Sequence, residues 1–82
     1  MDGMRLDKYL KVSRLIKRRT VANEACDAGR VLVNDRVARA STPVHEGDRI
    51  TIQFGTRDVS VEVLSVKETV RKEEAEELFK YI

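Results

Sequence analysis

A change in the hydrophobic repeat at Gly29 constrains this chain more than any other feature. Before it, apolar residues recur every three or four positions, and after it every second position. Side chains three or four apart share a helix face, and side chains two apart share a strand face. Helical segments followed by strand segments predict a single α+β domain over 1–82. Leu6, Tyr9 and Leu10 fall on one arc of a first helix beginning near Arg5, with Asp7, Lys8 and Lys11 on the other. Residues 12–16 break that repeat and predict a bend. A second helix is predicted over about 18–28, with Val21, Ala22, Ala25 and Cys26 as its buried stripe. Gly29 is placed to end it, because glycine accepts a left-handed conformation after a last helical turn.

Beyond Gly29, Val31-Leu32-Val33 and Arg36-Val37-Ala38 flank Asn34-Asp35. Both central residues tolerate positive φ, which predicts a two-residue hairpin. Residues 41–44 read as an irregular edge and 45–48 as a turn. Ile50, Ile52 and Phe54 alternate with Thr51 and Gln53, the pattern of a half-buried strand. Residues 55–58 turn the chain into a strand over 59–63 that runs on toward Val66. In 71–81, Ala75, Leu78, Phe79 and Ile82 return to helical spacing, with Glu76 and Lys80 placed to pair four residues apart. Met1, Asp2 and Gly3 form a frayed lead-in.

Charge is unevenly spread. Residues 1–40 carry 10 Lys/Arg against 5 Asp/Glu, whereas 41–82 carry 6 against 9. Between positions 4 and 19 stand Arg5, Lys8, Lys11, Arg14, Lys17, Arg18 and Arg19, opposed by Asp7 alone. A solvated helix face is the ordinary explanation for scattered lysines. A concentration this one-sided equally suits a face that meets a polyanion, with arginine forks fitted to phosphates and unpaired bases. Asp7 reads as an orienting partner for a neighbouring Arg or Lys, Lys11 at i+4 for example. Thr20 either caps the second helix or meets a phosphate. Arg30, Arg36 and Arg39 either extend the cationic face or only solubilise the hairpin.

Other chemistries lack their residues. A single Cys excludes an internal disulfide, and Cys26 falls on an apolar helix stripe where a buried thiol is ordinary. His45 has no nucleophile or ligand set at a useful spacing, so neither catalysis nor a metal or other cofactor is expected. The four glycines are scattered and form no phosphate loop. No apolar run approaches the roughly 20 residues of a spanning helix, so the expectation is a soluble cytoplasmic domain with no membrane contact. Tyr9 belongs with the core, and Glu73 to Glu77 with a solvated face.

Three pieces of the chain lie at fixed distances: Arg5-Leu6-Asp7-Lys8-Tyr9-Leu10, Gly29-Arg30-Val31-Leu32-Val33-Asn34 and Val44-His45-Glu46-Gly47-Asp48-Arg49-Ile50. Together they resemble the S4 RNA-binding domain over about 5–52, leaving a hairpin and closing helix in 53–82. The basic Lys17-Arg18-Arg19-Thr20 run and Phe54-Gly55 look like its ribosome-associated heat-shock-protein group. Residues 4–20 most resemble the members that act in ribosome-associated quality control.

The resemblance implies two N-terminal helices packed on a small, mainly antiparallel twisted sheet of about four strands, with a short C-terminal helix. It further implies a monomeric, non-catalytic factor for the large ribosomal subunit carrying obstructed peptidyl-tRNA. Such a factor contacts ribosomal RNA and tRNA while a partner protein adds an alanine tail. Heat-shock-type recycling of blocked subunits, an accessory piece of an RNA-modifying enzyme, and a protein adaptor using the acidic segment are the alternatives. Arg5, Arg14, Lys17, Arg18 and Arg19 form the implied RNA-facing set, with Lys8, Lys11, Thr20, Arg30 and Arg36 as further contacts. Two positions depart from the family pattern: Arg18 replaces a common serine, and Asp35 a usual glycine.

Overall fold

A computed structural model describes residues 3–67 and 71–82, so the expected lead-in at Met1 and Asp2 lies outside the described residues. The elements run β1 (Met4–Arg5), α1 (Leu6–Val12), α2 (Arg19–Asp27), β2 (Val31–Val33), β3 (Arg36–Val37), β4 (Pro43–Val44), β5 (Arg49–Phe54) and β6 (Arg57–Val63). A 3-10 helix (Lys72–Glu77) and β7 (Phe79–Tyr81) follow. Five strands form one antiparallel sheet in the order β3-β2-β5-β6-β7, and β1 pairs separately with β4. The α+β architecture is as expected; the strand number is larger, because β1 and β4 are two-residue pairings too short to show a period and β7 stands where a helix is expected.

Helix α1 has no side-chain cap at its start. Its first free N–H groups are met by backbone: Leu6 donates to the Thr42 carbonyl (2.9 Å) and Asp7 to that of Ala40 (3.1 Å). The β1–β4 register, Met4 opposite Val44 and Arg5 opposite Pro43, holds the two segments together for this. At its other end Arg14 adopts φ 64°. Its N–H donates to Lys11 O, and the Ile16 N–H folds back to Leu10 O, both at 3.1 Å. Left-handed backbone costs a non-glycine residue about 1 kcal/mol. Arg14→Gly should therefore stabilise the fold by about 0.5 kcal/mol, once glycine's greater freedom in the unfolded chain is offset, and raise the thermal midpoint by roughly 3 °C. A calorimetric scan showing a lower midpoint would contradict that reading.

One core joins both layers. Leu6, Tyr9 and Leu10 of α1 and Ala22 and Cys26 of α2 are buried with Val31, Ile50, Ile52, Val61 and Val63 of the sheet. The Tyr9 hydroxyl donates to the Leu78 carbonyl at 2.7 Å, satisfying a polar atom that burial would otherwise strand. Helix α2 departs from the expected stripe: Ala22 and Cys26 are buried and Ala25 is half-buried, but Val21 is 46% exposed. Thr20 is not the cap; Arg18 occupies that place and Thr20 lies inside the first turn. Burial pushes the Cys26 thiol up to about 11, helped by the charges of Asp7 and Asp27, so it stays protonated at neutral pH.

The Asn34-Asp35 hairpin has φ of 53° and 68°, the pair of left-handed residues whose twist suits two-residue connections. Asp35 thus adopts the conformation usually given to glycine. Asn34 also donates from Nδ2 to Asp48 Oδ1 (3.2 Å), while its Oδ1 accepts from the Arg49 N–H (3.0 Å). Two of the sequence's spaced motifs therefore meet across the sheet.

The end of the chain corrects the expectation most. No α-helix spans 71–81; a 3-10 turn leads into β7, which pairs with β6 through Val61–Tyr81, Glu62–Lys80 and Val63–Phe79. Ala75, Leu78 and Phe79 are buried as the spacing requires, but Ile82 is exposed. Strand β6 otherwise offers an open row of backbone groups, and pairing with it outweighs a short helix with a costly nucleus. Lys80 accordingly pairs with Glu62 across the strands (3.6 Å), not with Glu76. Strand β6 stops at Val63, and Val66 packs on the core from outside it.

Candidate nucleic-acid interface

Asp7 organises the basic end. Helical spacing sets it on the polar arc, yet it is only 2% exposed, because α2 crosses over it. Two arginines grip its carboxylate. Arg5 donates from Nε to Oδ1 (3.2 Å) and from Nη2 to Oδ2 (3.3 Å). Arg19 lies with Nε 3.3 Å from Oδ2 and Nη2 3.5 Å from Oδ1. Asn23, one turn further along α2, donates from Nδ2 to Oδ2 (3.3 Å), and the Lys8 N–H donates to Oδ1 (2.7 Å).

The electrostatics follow from that count. Burial by itself would raise the carboxyl. The hydrogen bonds from Arg19, Arg5 and Asn23, together with the charge of Arg19, outweigh it and hold Asp7 below its ordinary value. The carboxylate is acceptor only, with its lone pairs committed, which suits an anchor. The expected partner Lys11 is not among its bonds; the arginines displace it because β1 and α2 bring planar forks to both oxygens. Arg5 and Arg19 stay about half exposed at 52% and 45%, so their outer edges are open to a ligand.

Arg14, Lys17 and Arg18 are exposed in or beside the α1–α2 connection, next in the chain to this pair. Among the described residues none of the three has a side-chain hydrogen bond or ion pair. Lys11 and Thr20 are exposed on the two helices, and Lys8 is half-buried. Arg30 is exposed where α2 gives way to β2, and Arg36 stands apart on outer strand β3. The arrangement is two arginines held rigidly by one buried carboxylate, followed by three unpaired cations. Sequence reasoning missed Asn23 as a member, since a contact sixteen positions from Asp7 leaves no local signal.

Among the described residues, no group of His, Cys, Asp and Glu is placed to hold a metal ion, and no helix is long and apolar enough to cross a membrane.

A helical pair covering an antiparallel sheet, with its cations gathered at one end, defines the class: the chain belongs to the S4 domain family, which matches residues 4–50. More particularly, it is 63% identical to the RQC P-site tRNA stabilizing factor of Halalkalibacterium halodurans, over 93% of this chain and 86% of that one. It is 53% identical to the protein of the same name from Bacillus subtilis, over 93% and 88% respectively. In structure it resembles Heat Shock Protein 15 of Vibrio cholerae, with a TM-score of 0.90, 28% identity, and coverage of 99% of this chain and 83% of the other.

Proposed function

We propose that this protein is a non-catalytic RNA-binding factor of the large ribosomal subunit, recruited when that subunit still holds an obstructed peptidyl-tRNA. It steadies the tRNA by contacting it and ribosomal RNA while a partner protein extends the nascent chain with alanine. The observation that carries the reading is the pair of arginines fixed on Asp7 beside free Arg14, Lys17 and Arg18. The preset arginine pair can meet phosphates without first ordering its own side chains. Relatives named for stabilizing a P-site tRNA support the ribosomal setting and the tRNA partner. The likeness to a heat-shock protein supports a second reading, recycling of blocked subunits without tail synthesis.

Cosedimentation with purified large subunits separates the possibilities. Subunits carrying peptidyl-tRNA should retain the protein much better than empty ones. Five phosphate-facing cations predict that affinity falls roughly 200-fold between about 50 and 200 mM salt. Equal retention by loaded and empty subunits, or a flat salt response, would overturn the reading. Loss of alanine tails in a strain lacking the protein, restored by re-expression, distinguishes tail support from recycling alone.

A further inference from the structure

A second feature lies outside the arginine pair. Between the α1–α2 connection, α2 and the β5–β6 hairpin runs an open groove of about 430 Å³. Its floor is apolar, formed by Leu15, Ile16, Val21, Ala25, Ile52 and Phe54. Lys17 and Arg30 also line it, and no acidic residue does. Among the described residues neither cation has a side-chain partner. Phe54 and Val21 are 42% and 46% exposed, two of the larger apolar side chains left open to water. Ile52 and Phe54 share a face of β5, but only Ile52 reaches the core; Phe54 carries that face beyond it into the groove.

We propose that this groove receives one unpaired nucleobase of the bound RNA, stacked against Phe54, with Lys17 and Arg30 meeting the phosphates on either side. The inference rests on the RNA-binding reading above and adds a subsite to it. Charge decides the occupant: an apolar peptide would leave two cations without partners, whereas a nucleotide brings an aromatic face and an anion together. Aromatic stacking tolerates any base and adds affinity for each base seated. Lys17 belongs both to this rim and to the basic run, so the subsite is continuous with the cationic surface.

The test compares two RNA hairpins, one fully paired and one with a single bulged uridine in the same stem. The full-length chain should bind the bulged hairpin about 10-fold more tightly. Phe54→Ala and Phe54→Leu should both lose that preference while retaining affinity for the paired stem. Phe54→Trp should keep it. The chain has no tryptophan, so this variant carries a single indole, whose emission should be quenched by the bulged RNA and not by the paired one. A preference that survives in Phe54→Leu, with no indole quenching, overturns the subsite while leaving RNA binding intact. Failure of the unsubstituted chain to bind either hairpin overturns the RNA-binding reading and the subsite together.

Discussion

Asp7→Ala should lower stability by about 2 kcal/mol and the thermal midpoint by roughly 10 °C. The change removes the carboxylate from two arginines, Asn23 and the Lys8 N–H. Breaking a wholly buried pair costs about 3–5 kcal/mol. Arg5 and Arg19 are half in solvent, so water recovers much of their loss and the estimate is reduced accordingly. Affinity for loaded large subunits should fall about 10-fold even where the variant is fully folded, because both forks must then be ordered on binding. The pH dependence has a definite sign. Asp7 is held below its ordinary value of 3.8, so its contribution is complete above that value and is lost as pH falls through the folded one. The stability gap between the unsubstituted chain and Asp7→Asn should be constant above about pH 5 and close in acid. A gap that widened in acid would show that the carboxylate is not the stabilising form.

Arg14→Ala with Arg19→Ala should weaken binding to the same subunits by about 100-fold while costing less than about 1 kcal/mol of stability. Arg14 is exposed, and Asp7 retains Arg5 and Asn23 when Arg19 is lost. Lys67→Ala, which removes an exposed cation after β6, provides the control for net charge and should leave binding within about twofold. Unchanged affinity in the double variant would remove the basic end from the interface. The pair also complements Arg14→Gly, which should gain stability yet lose affinity: backbone strain is then relieved at the cost of a contact.

How much of this was legible depended on whether a residue's role is local. Gly29, Asn34-Asp35 and the Ile50/Ile52 alternation announce themselves within a few positions, and the structure has each as expected. Phe79 lies in a strand where its spacing suggests a helix, because a buried residue next to Leu78 fits a helix stripe and a strand equally well over so short a stretch. Only the open edge of β6 decides between them, and that edge is formed elsewhere in the chain. Period alone points Val21 inward, but at that height α2 borders the hairpin groove and the side chain is exposed. The cations were visible as a cluster. Their arrangement was not, because it depends on Asp7 being covered by α2 and on Asn23 approaching from the far side of a bend.

The Tyr9–Leu78 hydrogen bond joins residues 69 positions apart, and β7 closes the sheet beside it. Until segment 72–81 is in place, Tyr9 lacks its acceptor and β6 has an open edge. Closure of the fold therefore waits for segment 72–81 to dock. A chain that folds without that segment leaves the edge of β6 open to mispairing.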